Sequence, residues 1–202
     1  MRAAILAGGA ASRYGGRPKG LERVGGERIL DRLAEELRTV TDSAPILVAN
    51  APGAESWAPG LTVVRDPRPD CGSLGGIYAA VTAGDGPVLL VAWDMPFVHE
   101  DLLAALRDGA AGYDVYLPES ASRRGMEPLC GVYGPACAGP IAERLDDEDY
   151  RAIGFHDAVR VGHLSLDAVR RIGDPDLLFY NVNSPDDLAH AEELWRQHVS
   201  SQ

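Results

Sequence analysis

The sequence predicts an α/β fold built on an open sheet with a buried, parallel central strand, and three observations carry that reading. A short apolar run, Ala4-Ile5-Leu6-Ala7, breaks at Gly8-Gly9, and from Arg28 to Val40 an amphipathic pattern follows. It sets Ile29, Leu33, Leu37 and Val40 against Glu35, Glu36 and Arg38. Two more short runs, Ile46-Leu47-Val48-Ala49 and Leu61-Thr62-Val63-Val64, close on polar residues. The most hydrophobic segment, Pro87 to Trp93, shows no alternation, as expected of a strand buried on both faces. Short strands that alternate with helical patterns and end in polar residues belong to open α/β sheets.

The first strand leads into the stretch that organises the chain, Gly8-Gly9-Ala10-Ala11-Ser12-Arg13-Tyr14-Gly15-Gly16-Arg17-Pro18-Lys19. Glycines let backbone N–H groups approach a ligand closely, and a run of such groups makes an anion-binding concavity. Arg13, Arg17 and Lys19 add full positive charges, so the loop reads as a triphosphate cradle. It is not a Walker A loop, because Lys19 lies between Pro18 and Gly20. Nor is it a dinucleotide fingerprint, because Ala-Ala-Ser follows Gly8-Gly9. Lys19 is also the only lysine among the 19 basic residues. Every other cation is the planar arginine fork, whereas this position has the compact, strongly hydrated ammonium.

Further along, Pro67 to Gly75 reads as a connection feeding a small-residue helix from Ile77 to Ala83. The central strand ends in Asp94-Met95-Pro96-Phe97. Open α/β sheets bind ligands at the carboxyl ends of their strands, so Asp94 is either a metal-ligating carboxylate or a strand-ending turn former. A helix from His99 to Asp108 turns Leu102, Leu103 and Leu106 inward, and strands follow over Tyr113–Pro118 and Glu127–Tyr133. Between them Arg123-Arg124 is either a meeting point for an anionic acceptor or a solvated loop. Ala136 to Leu145 reads as helical. Asp146-Asp147-Glu148-Asp149 reads as a solvated connection or a helix start, since consecutive carboxylates on a helix do not face one point. Residues 150–177 carry little pattern beyond an expected strand from Val159 to Leu164, and neither His156 nor His163 is assigned a role. Near the end, Ser184, Pro185 and Asp187 form a helix N-terminus ahead of a buried stripe of Leu188, Ala191, Leu194 and Trp195.

Composition narrows the function classes. At 202 residues and 46% hydrophobic, the chain holds enough apolar side chains for one large domain, and no apolar run is long enough to cross a bilayer. Gly8-Gly9 interrupt the N-terminal run too early for a secretory signal, and three cysteines leave no complete disulfide framework, so a cytoplasmic protein with reduced thiols is expected. A net charge of −11 argues against nucleic-acid binding. Residues 1–40 nevertheless hold eight Arg/Lys against five Asp/Glu, a local +3 that leaves −14 on the remainder. A locally basic glycine loop in an acidic protein suits a small anionic ligand with a metal.

The pattern L-A-G-G-x-x-S-R-x-G-G-x-x-K over Leu6–Lys19 resembles the N-terminal signature of nucleotidyltransferases, in particular the molybdenum cofactor guanylyltransferases (MobA-like enzymes). Four later stretches match elements of that family in order. They are Gly72-Ser73-Leu74-Gly75-Gly76, with Ser73 where the family has proline; Trp93-Asp94-Met95-Pro96-Phe97; Glu127-Pro128-Leu129-Cys130-Gly131-Val132-Tyr133; and Asn181-Val182-Asn183-Ser184-Pro185. The resemblance implies one nucleotidyltransferase domain over 1–202, with a doubly wound, mainly parallel sheet of Rossmann-like type. It implies transfer of GMP from GTP to the terminal phosphate of a molybdopterin-type acceptor with release of pyrophosphate, dependent on Mg²⁺. Leu6, Ala7, Gly8 and Gly9 would hold the nucleotide through backbone groups, Asn50 and Asp66 would contact the guanosine, and Arg13 and Lys19 would neutralise the departing pyrophosphate. Asp94 would be the principal metal ligand, and Asn183 either a second metal ligand or a turn residue before the helix cap. Glu127 stands on the acceptor side, where relatives often carry Gln or His. No nucleic acid or membrane partner is implied, only transient contact with other cofactor-biosynthesis proteins. A cytidylyltransferase, a cobinamide- or sugar-phosphate nucleotidyltransferase and a non-catalytic nucleotide sensor are the alternatives.

Overall fold

The computed structural model describes residues 1–8, 18–41, 43–123 and 125–199. Seven strands form one sheet: β1 (Arg2–Leu6), β4 (Ile46–Val48), β5 (Val63–Val64), β6 (Val88–Ala92), β7 (Val115–Pro118), β8 (Cys130–Tyr133) and β9 (Val161–Leu164), in the order β5-β4-β1-β6-β8-β7-β9. β1 pairs in parallel with both β4 and β6, β4 with β5, and β7 with β9. β8 runs against both of its neighbours, β6 and β7. The expected mainly parallel α/β sheet is therefore present, with one reversed strand inside it.

Strand alternation explains why helices cover both faces. Ala3, Ile5, Leu89 and Val91 pack in one buried cluster with α1 (Ile29–Thr41) and α3 (Glu100–Gly109). Ala4, Leu6, Val88 and Leu90 point the other way, into a second cluster with α2 (Gly72–Thr82) and α4 (Ala138–Asp146). All five residues of β6 are buried, in keeping with the unbroken apolar run that marked it as central. α5 (Leu166–Ile172) and α6 (Pro175–Leu178) follow β9, and α7 (Pro185–Val199) ends the described chain. No described helix is long and apolar enough to cross a membrane.

Several expected boundaries move. α2 begins at Gly72, so the glycines of the expected connection lie inside the helix. Close packing requires one of them: a Cβ on Gly75 would collide with the Asp66 carboxylate and lie 3.1 Å from the Arg68 carbonyl. The strand expected over Glu127–Tyr133 keeps only its last four residues, and Leu61–Val64 only its last two. The acidic run ends a helix and does not start one. Glu148 takes φ 57° just past α4, and the Glu148 and Asp149 N–H groups donate back to the Leu145 and Arg144 carbonyls.

The structure also contains a small ribbon, β2 (Arg23–Val24) and β3 (Glu27–Arg28), turned by Gly25 and Gly26 at φ 63° and 82°. Arg32 fastens it: one guanidinium N–H donates to Val24 O at 2.7 Å, another to Pro96 O at 3.2 Å, and the group stacks 3.9 Å over the Trp195 ring. Gly25 N donates to Glu192 Oε1 at 3.0 Å. The ribbon after Lys19 is thus held to α7, the helix that follows Asn183.

Candidate functional site

A cleft of about 760 Å³ opens at the carboxyl ends of the parallel strands. Its floor is Leu6, the last residue of β1, with Gly8 just beyond it, and Ala92, Trp93 and Asp94 at the end of β6. One wall carries Asn50 and Asp66, which follow β4 and β5, and the first turn of α2 through Gly72, Ser73 and Gly76. The other wall carries Glu127 and Leu129 from the connection into β8. Lys19, Asn181 and Asn183 complete it.

Three side chains from distant parts of the chain meet on the floor. The Lys19 ammonium donates to Asn183 Oδ1 at 2.7 Å and to Asp94 Oδ2 at 3.3 Å. The Lys19 and Asp94 side chains are only 11% and 15% exposed, so water screens their attraction little. Among the described residues, the buried Asp94 Oδ1 has no hydrogen-bond partner.

Backbone contacts hold each partner in place. Asp94 O accepts from Val182 N at 2.8 Å, and Asn183 N donates to Asp187 Oδ2 at 2.9 Å. Asp187 N in turn donates to Ser184 Oγ at 3.1 Å, the expected helix cap. Lys19 opens a short 3₁₀ turn, Lys19–Leu21, in which Leu21 N donates to Pro18 O and Glu22 N to Lys19 O. Gly20 lies directly on the Trp93 indole, where a Cβ would sit 2.8 Å from Cδ2 and nearer still to Cε3. Trp93 is 3% exposed and stacks on Trp57 at a centroid distance of 5.2 Å.

Asn50 and Asp66 meet each other and not this trio. Asn50 Oδ1 accepts from Asp66 N at 2.8 Å, which extends the β4–β5 pairing by a side-chain rung. Burial pushes the Asp66 carboxyl above its usual range, and the Arg68 N–H it accepts at 2.8 Å pulls the other way. Across the cleft, Glu127 Oε1 accepts from Leu129 N at 3.2 Å. Gly9 and Arg13 lie outside the described residues. Leu6, Gly8, Lys19, Asn50, Asp66, Asp94 and Asn183 all line the cleft, while Ala7 is buried beside it and donates its N–H to Val48 O at 2.9 Å.

Sequence reasoning gave no role to Trp93, Asp70, Asn181 or the start of α2, all of which line the cleft. Trp93 had a signal, since it immediately precedes Asp94 at the end of the most buried strand. The start of α2 had one in its glycine spacing.

A family profile described as a MobA-like NTP transferase domain matches residues 3–160. A probable molybdenum cofactor guanylyltransferase of Pelotomaculum thermopropionicum is 35% identical over 191 residues, covering 94% of this chain and 91% of the relative. A molybdenum cofactor guanylyltransferase of Cereibacter sphaeroides is 36% identical, with 96% of each chain covered. Among solved structures, the molybdopterin-guanine dinucleotide biosynthesis protein A of Archaeoglobus fulgidus superposes with a TM-score of 0.81 at 24% identity, over 98% of this chain and all of that one.

Proposed function

Because the chain belongs to the MobA-like NTP transferase family, we propose that residues 1–202 act as one nucleotidyltransferase unit, transferring GMP from GTP to the terminal phosphate of molybdopterin and releasing pyrophosphate. The observation that carries the reading is the convergence of Lys19, Asp94 and Asn183 between two differently furnished walls. One wall offers Asn50 and Asp66 to a nucleoside, and the other offers Glu127 and Leu129 to an acceptor. The reacting phosphates belong between them.

The reaction is substitution at the α-phosphorus: an acceptor phosphate oxygen forms the new P–O bond as the bond to the β-phosphate oxygen breaks. No covalent enzyme intermediate is needed, so the residues act by positioning and by neutralising charge. The Leu6–Gly9 backbone supports the nucleotide, and Asp66 accepts N–H groups of guanine while Asn50 braces its backbone. Lys19 and Arg13 neutralise the departing pyrophosphate. The first turn of α2 adds the positive end of a helix dipole to the same cleft.

The Asp94–Asn183 pair fits Mg²⁺ by its chemistry. Magnesium prefers hard oxygen ligands and often takes one or two carboxylates together with substrate phosphates. Here one carboxylate and one amide oxygen already converge on a cation, and the second Asp94 oxygen, though buried, has no hydrogen-bond partner among the described residues. When bound, the metal supplies charge that offsets the phosphates' own.

The test is to incubate the purified protein with Mg²⁺, molybdopterin and each of the four NTPs, and to read the product by mass. GTP alone should give a dinucleotide and pyrophosphate. Equal turnover of CTP would move the chain to cytidylyl transfer, and nucleotide binding with no transfer would make it a sensor.

A further inference from the structure

We infer that the Lys19 ammonium is a built-in placeholder for the metal ion: it holds the Asp94–Asn183 oxygens itself, and it vacates them only when a nucleotide offers it phosphates. This rests on the reading of Asp94 and Asn183 as the metal's oxygens, and on three observations.

First, one ammonium contacts both oxygens, at 2.7 Å from Asn183 and 3.3 Å from Asp94. Magnesium–oxygen contacts are about 2.0–2.1 Å, so the metal on those oxygens would overlap or closely approach the ammonium, and two cations there repel strongly. The two occupants exclude each other.

Second, the backbones that carry the two oxygens are held in place, while the lysine has a long stem that can turn. Val182 N pins the Asp94 backbone, and Asp187 pins the Asn183 backbone. Gly20 fixes the Lys19 backbone on the Trp93 ring, leaving a four-carbon stem to carry the charge. The chain's only lysine stands where a point charge must fit between two oxygens and also reach a neighbouring group. An arginine fork suits the first task poorly.

Third, the cleft offers the displaced ammonium no equivalent site within the described residues. The other cleft carboxylates, Asp66, Asp70 and Glu127, stand on the walls, and Asp66 already accepts the Arg68 N–H. Driving Lys19 away without an anion to receive it therefore forfeits both hydrogen bonds. With a triphosphate present, the ammonium exchanges one set of oxygens for another.

Metal and nucleotide must then bind cooperatively, and linkage makes the effect reciprocal. The metal is a poor ligand of the empty chain and a good one of the nucleotide-loaded chain. After transfer, departure of pyrophosphate returns Lys19 to Asp94, so the carboxylate is never left buried without a counter-charge.

The experiment measures Mn²⁺ binding by the loss of its free-ion electron paramagnetic resonance signal, on the whole chain and without acceptor. Wild type should bind Mn²⁺ weakly alone and at least about tenfold more tightly with a GTP analogue carrying a methylene α–β bridge, after subtraction of the Mn²⁺ that the analogue binds with no protein present. Lys19→Met should bind Mn²⁺ alone at least about tenfold more tightly than wild type, and Asp94→Asn in the same chain should abolish that gain. A thermal melt gives a second reading and checks folding: Mn²⁺ alone should raise the Tm of Lys19→Met more than that of wild type. If Lys19→Met binds Mn²⁺ no more tightly than wild type, or if the gain survives Asp94→Asn, the inference is overturned. The same holds if the analogue leaves wild-type Mn²⁺ affinity unchanged. None of these readings depends on which acceptor is used, so failure of guanylyl transfer would leave them standing.

Discussion

Adding one methyl group at Gly20 tests how Lys19 is positioned. The new Cβ would sit 2.8 Å from Trp93 Cδ2 and closer to Cε3, where carbon–carbon contacts normally lie near 3.5–4.0 Å. About 1 Å must open. Trp93 cannot supply it, being 3% exposed and stacked on Trp57. The 3₁₀ turn of Lys19–Leu21 must lift instead, carrying Lys19 away from Asp94. Overpacking of this kind costs about 1–3 kcal/mol. For a chain of this length that lowers Tm by about 2–12 °C. A misplacement of about 1 Å at the reacting phosphates lowers kcat on the order of 10²-fold. Steady-state pyrophosphate release and a thermal melt read both effects. Trp93→Leu in the Gly20→Ala background removes the obstructing ring, so the double variant should lose far less than the two single losses combined. Wild-type kcat and Tm in Gly20→Ala would refute the argument.

Asp94→Asn is nearly isosteric and should lower kcat about 10²–10³-fold with the fold retained, as checked by circular dichroism at saturating Mg²⁺. Lys19→Arg should restore only part of the turnover that Lys19→Ala loses, because the fork cannot take the ammonium's place between Asn183 Oδ1 and Asp94 Oδ2; full activity would contradict this. Burial holds the Asp66 carboxyl above its unfolded value, so the unfolded chain ionises first as pH rises, and the stability Asp66 contributes in acid is lost as pH passes its folded value. Asp66→Asn should therefore melt higher than wild type at pH 7 but not at about pH 3, while binding GTP more weakly. A thiol reagent at about pH 8 should label Cys71 alone in the native protein, since Cys130 and Cys137 are buried and burial pushes the Cys137 thiol up to about 12.

The elements that could be read from the sequence are those whose burial left a one-dimensional trace. β6 is buried at all five positions and reads as an unbroken apolar run, and α1 is buried on one side and reads as a stripe. The Ser184 cap uses adjacent residues, so it too was visible. The reversal of β8 was not visible, because a buried apolar run looks the same in either direction. Neither was the β2–β3 ribbon, whose strands of two residues are too short for any period and whose only mark is Gly25-Gly26. Three glycines within five residues argue against helix by propensity, yet α2 includes them: Gly72 takes φ 61° at its first position, and Gly75 leaves room for the Asp66 carboxylate. In the site, the residue types and strand ends were legible. Their meeting was not: Lys19 lies 75 positions from Asp94 and 164 from Asn183.

That last separation explains why the end of the chain belongs to the site. The family profile stops at residue 160, yet Asn181 and Asn183 line the cleft. Two attachments bring them there. Val182 N bonds to the carbonyl of Asp94 itself, so Asn183 is placed relative to the carboxylate by a single backbone contact. α7, which begins two residues later, is held by Glu192 and Trp195 against the β2–β3 ribbon, and that ribbon begins four residues after Lys19. Arg32 joins both attachments, since it donates to Val24 in the ribbon and to Pro96, two residues after Asp94. Lys19, Asp94 and Asn183 therefore share one brace as well as one hydrogen-bonded cluster. A change at Arg32, outside the cleft, would loosen all three groups at once.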